Sequence, residues 1–113
     1  MPKFMAVYTG KPSDGPPPDM SPETIKKGMD AWMGWGEKHA ASIVEMGGPL
    51  GRTKKVTKDG VEDIRNHIAG YVVVEAADHE AAARMFEDHP HFSIFPGDGV
   101  EVMPVLPIPS MPD

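Results

Sequence analysis

The chain has 113 residues, of which 17 are acidic and 11 are basic, so its formal net charge at pH 7 is −6. This length fits one domain with its own core and is too short for two ordinary domains. The negative charge opposes a general attraction to nucleic acid or anionic lipid. The absence of cysteine excludes disulfides, a thiol nucleophile and a thiolate zinc site.

No apolar run approaches the roughly 20 residues that a membrane-spanning helix needs, and the N-terminal segment MPKFMAVYTGKP is too polar for a signal sequence. We therefore expect a soluble, cytoplasmic protein without nucleic-acid or membrane partners. A single α+β domain is expected over residues 1–108, followed by a loose tail over residues 109–113.

The first half of the chain predicts a strand, a loop and a long helix. The apolar run KFMAVY, residues 3–8, predicts the strand, and the glycine- and proline-rich segment after it predicts an irregular loop. Ser21 as N-cap, Pro22 at the first helical position and Glu23 in the first turn are typical of a helix start. A long helix is therefore expected from Pro22 onwards.

This long helix is expected to be amphipathic and to end near Gly47 and Gly48, where glycine favours the left-handed C-cap conformation. At about 100° per residue, its apolar stripe consists of Ile25, Met29, Trp32, Gly36, Ala40, Ile43 and Gly47. Glycine inside a helix costs about 1 kcal/mol relative to alanine. Close packing or a local bend is therefore expected at Gly28, Gly34 and Gly36.

The second half predicts two strands, a helix and a last strand. LGRTKKVT, residues 50–57, alternates weakly before a KDG turn and predicts a polar strand at a sheet edge. AGYVVVEA, residues 69–76, predicts the most apolar strand of the chain. Asp78 predicts the N-cap of a helix that Pro90 ends, and residues 99–108 predict the last strand.

The predicted order of elements is strand, helix, strand, strand, helix, strand. Two such halves form a ferredoxin-like βαββαβ arrangement, an α+β fold with an antiparallel four-stranded sheet and both helices on one face. The strands at residues 3–8 and 69–76 carry apolar residues on both faces, so the bare face is expected to be buried against another copy. The sequence thus predicts a homodimer formed through the sheet face.

Several segments occur in an order and spacing that extend over nearly the whole chain: KFMAVYTG, AWMGW, GGPLG, DG, GYVVVEAADHEAAARMFEDHPHF and GVEVMPV. In this order and spacing the chain resembles the YCII-related (YciI-like) family, including its DGPF-domain branch. The resemblance implies a ferredoxin-like, dimeric α+β barrel. It also implies similarity in fold to small isomerases, lyases and dehydrochlorinases of cyclic substrates and to heme-free monooxygenases, although a fold alone does not establish an activity.

The sequence departs from the family's pattern at two places. The resemblance implies an acid/base pair made by a histidine in the first helix and an aspartate before the proline that ends the second. These positions fall near Ala31 and on His89, and neither residue type matches. The DG at residues 59–60 also lacks the Pro-Phe that gives the branch its name. Any acid/base role therefore has to be argued from this chain's own residues.

His89 and His91 flank Pro90 in the segment EDHPHF, residues 87–92. In one interpretation Pro90 ends a helix, whose C-terminus stabilises an imidazolium. In the other, His89 acts as a general base, because an imidazole with a pKa of about 6.5 suits that role near neutral pH. No metal site is predicted, because a rigid proline between two histidines makes a poor chelate.

Trp32, Trp35 and His39 are spaced by three and four residues, so they lie along one edge of the long helix. One interpretation is core packing with a dimer contact. In the other, the two indoles wall an apolar cleft in which His39 is the polar group, Gly36 leaves room for a ligand and Tyr8 contributes a hydroxyl.

The leading hypothesis is a homodimer that binds a small, partly apolar or cyclic molecule in a cleft between helix and sheet. Acid/base isomerase or lyase chemistry would use His89 and His39, and no cofactor is predicted. The predicted ligand-binding residues are Tyr8, Trp32, Trp35, Gly36 and His91. The alternative is a non-catalytic module that senses a ligand or binds a protein partner, which the loss of the family's acid/base pair favours.

Overall fold

The computed structural model describes residues 1–10, 21–95 and 97–109. Its strands are β1 (Lys3–Thr9), β2 (Ile43–Pro49), β3 (Thr53–Thr57), β4 (Gly60–Ile64), β5 (Ile68–Glu75) and β6 (Gly99–Pro104). Its α-helices are α1 (Pro22–Lys38), α2 (His79–Arg84) and α3 (Pro90–Ser93), and a 3₁₀ turn covers Ala40–Ser42. Most of the predicted loop after the first strand, and most of the predicted tail, lie outside the described residues.

Four strands form one sheet in the order β2-β5-β1-β6, and each neighbouring pair is antiparallel. This is the ferredoxin-like order in which each βαβ unit leaves room for a strand of the other. β3 and β4 form a separate two-stranded hairpin. In the sequence, this hairpin comes between β2 and β5. The predicted α+β fold with an antiparallel four-stranded sheet is confirmed.

The core lies on one face of this sheet, because alternate residues of a strand point to the same side. β1 and β5 supply its strand residues, and Trp35 and Phe86 pack on them from the helical layer. The buried strand residues are Phe4, Ala6, Tyr8, Val72 and Val74. On the opposite face, Met5, Val7 and Val73 are half-buried and Met103 is 41% exposed. No helix in the described part of the chain is long and apolar enough to cross a membrane.

The start of α1 is confirmed, and its predicted end is wrong. The Ser21 side chain accepts the backbone N–H of Thr24, as an N-cap does. The helix ends at Lys38, and β2 occupies the segment that leads to the glycine pair. Gly47 does have a left-handed φ of +65°, but it lies inside β2, where a Cβ atom would collide with the Tyr71 carbonyl. The glycine therefore serves a strand irregularity and not a helix C-cap.

The apolar stripe predicted for α1 is also partly wrong. Ile25 and Met29 are 45% and 53% exposed, while Gly28 and Trp35 are the buried residues of the helix. Close packing is confirmed at Gly28, because the Phe95 ring occupies the space that a Cβ would need. It is not found at Gly34, where no described neighbour lies within 4 Å of the position that a Cβ would take. The buried face is thus rotated towards the segment that carries Phe95.

Two further predictions in the second half need correction. The strand predicted at residues 50–57 is β3, which pairs with β4 in the hairpin and does not form an edge of the main sheet. Asp78 caps α2 as predicted, because its carboxylate accepts the N–H of Ala81 at 2.7 Å. That helix ends at Arg84, and Pro90 begins α3. Proline can follow the end of one helix or begin the next, and its missing N–H is harmless in the first turn of a helix.

Candidate functional site

An apolar cleft of about 440 Å³ lies between α1, the irregular strand β2 and the start of β5. Its walls include Trp32, Phe95 and Tyr71, together with the methionines 29, 33 and 46. Tyr8 and His91 are also part of its lining. Among the described residues, no lysine, arginine, aspartate or glutamate side chain lines it. A cavity of this size and polarity is typical of a site for a small molecule.

Two local backbone features give the cleft its shape. Gly28 allows the Phe95 ring to lie directly against α1, which places this ring at the wall of the cleft. The positive φ of Gly47 lets β2 depart from regular pairing with β5, where the register shifts between Glu45 and Gly48. A strand irregularity of this kind re-aims neighbouring side chains. Met46 accordingly lines the cleft.

His89 is fully buried and does not line the cleft. Its ring centroid lies 4.6 Å from that of Trp32, 4.7 Å from that of Trp35 and 5.1 Å from that of Tyr8. Its Nδ1 accepts the backbone N–H of His91 at 3.0 Å, so His89 is the N-cap of α3. The interpretation of a helix C-terminus that stabilises an imidazolium is therefore wrong, because the side chain sits at the opposite end of a helix.

Burial, followed by the nearby charges of His91 and His39, lowers the pKa of His89 to about 4. The ring is therefore neutral near pH 7. Its Nε2 lies 3.5 Å from the Tyr8 hydroxyl oxygen. Burial also raises the pKa of Tyr8, so this phenol stays protonated well above neutral pH. The two groups form a neutral polar contact beneath the cleft.

His91 lies at the wall of the cleft and is only 8% exposed. Its Nε2 is 2.7 Å from the carbonyl oxygen of Thr9. A Cβ at residue 97 would collide with its ring, so Gly97 is required for its position. The segment that follows Pro90 is thereby tied to the end of β1. Tyr8 and His91 have ring centroids 5.2 Å apart.

Besides His89, three of the residues predicted for the site lie away from the cleft lining. Trp35 is buried in the core, where its indole N–H donates to the Met85 carbonyl at 2.7 Å. Gly36 faces the side chain of Met46. His39 follows the last turn of α1 with its ring centroid 5.0 Å from that of Trp35, and burial together with the charge of Lys38 lowers its pKa. The structure thus brings Tyr8, Trp32 and His91 together at the cleft.

Several cleft residues were not identified from the sequence. Met46 and Tyr71 belong to β2 and β5, whose pairing could not be anticipated while β2 was assigned to a helix. Tyr71 donates its O–H to Glu45 at 2.8 Å, and this hydrogen bond and the charge of Glu45 raise the pKa of Tyr71. Phe95 gave one indirect signal, the costly glycine at position 28.

Potential metal ligands do not converge in the part of the chain that the structure describes: no group of three or more histidine, aspartate or glutamate residues is placed to hold an ion. His89 and His91 instead use ring nitrogens for hydrogen bonds to the backbone.

No protein-family model and no curated protein matches the chain. Among solved structures it is similar to the 5-chloro-2-hydroxyhydroquinone dehydrochlorinase TftG of Burkholderia phenoliruptrix AC1100, in complex with 2,5-dihydroxybenzoquinone. The match has a TM-score of 0.53 and 17% identity, and it covers 88% of this chain and 89% of that chain. The chain therefore shares the α+β fold of that structure. This likeness concerns the fold, and the expected relation to the YCII-related family stays a resemblance.

Proposed function

We propose that this α+β chain binds a small, uncharged ring compound in the apolar cleft. The observation that carries the proposal is the lining, in which aromatic rings and methionines surround two polar side chains, Tyr8 and His91. Methionine adapts to irregular ligand shapes, and aromatic walls favour a flat ligand. An anion is disfavoured because no lysine or arginine of the described residues lines the cleft.

The structural neighbour supports the class of ligand by analogy. TftG is described in complex with 2,5-dihydroxybenzoquinone, which is a planar ring. One fold hosts many unrelated functions, so this analogy adds to the cleft lining and does not replace it. We carry over a small ring compound as the kind of ligand, and not the dehydrochlorinase reaction.

Within this proposal the chain is an acid/base enzyme of the isomerase or lyase type, because the titratable side chains of Tyr8 and His91 lie side by side at the cleft. The second candidate is a ligand-sensing module without catalysis. Two observations favour it: His89, which falls on the family's acidic position, is buried away from the cleft, and its pKa of about 4 keeps it neutral. Turnover of a bound ring compound separates the two candidates.

A titration with matched probes tests the binding site. Wild-type protein is expected to bind 2-methylnaphthalene at least about tenfold more tightly than 2-naphthoate, since the carboxylate would lose hydration without gaining a cation. Met46→Lys places a cation at the cleft and is expected to reverse this preference. Val56→Lys, on the exposed hairpin, is the control and should keep it. Calorimetry measures the affinities for both probes. If Met46→Lys and Val56→Lys show the same preference between the two probes, the proposed site is contradicted.

We also propose that two copies associate through the open face of the sheet. Met5, Val7, Val73 and Met103 form an apolar surface on this face, and a partner copy would remove it from water. The expected result of sedimentation equilibrium is twice the mass of one chain. Val73→Glu places a charge in the middle of this surface and is expected to give single chains. A Val73→Glu protein that still sediments as a dimer would exclude this interface.

A further inference from the structure

The hydrogen bond of His91 to the backbone determines which of its nitrogens can meet a ligand. The Thr9 carbonyl can only accept, so the proton of the neutral ring is on Nε2, which lies 2.7 Å from that oxygen. Nδ1 is left with a lone pair. Every fully buried side-chain nitrogen or oxygen of the described residues has a hydrogen-bond partner. Nδ1 of His91 has no such partner among these residues, so it is not fully buried. This acceptor is therefore open to the cleft or to solvent.

A second hydrogen bond determines the direction of the Tyr8 hydroxyl in the same way. The backbone N–H of His91 can only donate, so Nδ1 of His89 is unprotonated and the neutral ring carries its proton on Nε2. That N–H faces the Tyr8 oxygen at 3.5 Å, which makes the oxygen an acceptor. The phenolic proton of Tyr8 then has no acceptor among the described residues. It is available to a ligand, because Tyr8 lines the cleft.

From the directions of these hydrogen bonds we infer that the cleft binds an enolic or phenolic ring compound, or the corresponding ring ketone. We infer also that the protein interconverts the keto and enol forms of this ligand. His91 Nδ1 is the base and Tyr8 is the donor to the ligand oxygen. His89 is a positioning residue, because it does not line the cleft and acts through its contacts with Tyr8 and His91. This inference rests on the proposed function, since it assigns chemistry to the same cleft.

The reaction balances without a further reactant. Nδ1 of His91 takes a proton from the carbon beside the ring carbonyl, and the C–H electron pair becomes the new C=C bond. The carbonyl π pair moves to oxygen, where the Tyr8 O–H stabilises the developing enolate. The proton on Nδ1 then passes to that oxygen to give the enol. In the reverse direction the enol hydroxyl donates to Nδ1 and accepts from Tyr8.

Three uncharged probes of similar shape test the two hydrogen bonds by calorimetry. 2-Naphthol can donate to His91 and accept from Tyr8, 2-methoxynaphthalene can only accept, and 2-methylnaphthalene can do neither. Each hydrogen bond is expected to raise the affinity by about threefold to tenfold, so 2-naphthol binds most tightly and 2-methylnaphthalene least. Tyr8→Phe is expected to lower the affinity for 2-naphthol by a similar factor and to leave that for 2-methylnaphthalene unchanged.

Proton transfer is tested with 2-tetralone, an enolisable ketone of the same shape. Wild-type protein is expected to accelerate deuterium incorporation beside the carbonyl in D₂O by at least about tenfold over buffer, and Tyr8→Phe to remove most of this acceleration. His89→Asn keeps an oxygen that accepts the His91 N–H but lacks the imidazole N–H. It is expected to reduce the exchange rate while the affinity for 2-methylnaphthalene stays constant.

The two proposals fail differently. If 2-methylnaphthalene binds in the cleft but 2-naphthol binds no more tightly and 2-tetralone exchanges at the buffer rate, the assignment of Tyr8 and His91 is overturned and the small-molecule site stands. If none of the three naphthalenes binds, the proposed function is overturned, and the inferred chemistry falls with it.

Discussion

Acidification from pH 7 to below pH 4 is expected to reduce the free energy of unfolding by about 3 kcal/mol through His89 alone. The folded protein holds this ring neutral, with a pKa of about 4 instead of 6.5. The unfolded chain binds the proton first. The full contribution is therefore present above pH 6.5, is lost as the pH falls towards 4, and changes no further below that pH. One pKa unit corresponds to about 1.4 kcal/mol.

Urea unfolding of wild type and His89→Asn over this pH range isolates the effect. Asparagine does not titrate and keeps an acceptor for the N–H of His91, so the cap of α3 is retained. All other side chains are the same in the two proteins, so their contributions cancel in the difference. The two stability curves are expected to converge as the pH falls. Parallel curves would mean that His89 is not held neutral in the folded protein.

Replacement of Trp35 by alanine is expected to cost about 3–5 kcal/mol of stability, as for other large buried rings. Trp35 is 8% exposed, packs against Phe86 with ring centroids 5.1 Å apart and donates to the Met85 carbonyl. Its removal leaves both a cavity and a carbonyl without its donor. Trp32, on the cleft wall, is only half-buried. Trp32→Ala is expected to cost clearly less stability and to abolish binding of 2-methylnaphthalene.

Denaturant unfolding combined with ligand titration measures this contrast. Trp35→Phe provides the milder variant when Trp35→Ala does not fold, because it keeps a ring and loses only the indole N–H and some volume. It is expected to bind 2-methylnaphthalene with nearly wild-type affinity. Loss of binding in Trp35→Phe with full binding in Trp32→Ala would reverse the assignment of the two tryptophans to core and cleft.

The sequence predicted those parts of the fold that local chemistry determines. The strands β1 and β5 have the apolar runs of buried strands, and Ser21 and Asp78 satisfy free N–H groups at helix starts whatever surrounds them. The end of α1 could not be predicted in this way. The segment of β2 continued the helical spacing as far as a glycine pair, and only pairing with β5 makes it a strand.

The candidate site was predictable only in part, for a related reason. Helical spacing placed Trp32 and Trp35 on one edge of α1, but it could not tell which ring meets the core and which meets the cleft. The role of His89 depended on Pro90, which fits both a helix end and a helix start. The proton positions on His89 and His91 depend on bonds to Thr9 and to the backbone of α3. Such bonds exist only in the folded chain.

The methionine methyl groups provide the most direct measurement of ligand binding in the cleft. With methyl-labelled methionine and saturating 2-methylnaphthalene, intermolecular NOEs are expected to the methyls of Met29, Met33 and Met46, which line the cleft. Met5 and Met103 lie on the opposite face of the sheet and serve as internal controls. NOEs to those two methyl groups, or none to the three cleft methionines, would contradict a ligand site between helix and sheet.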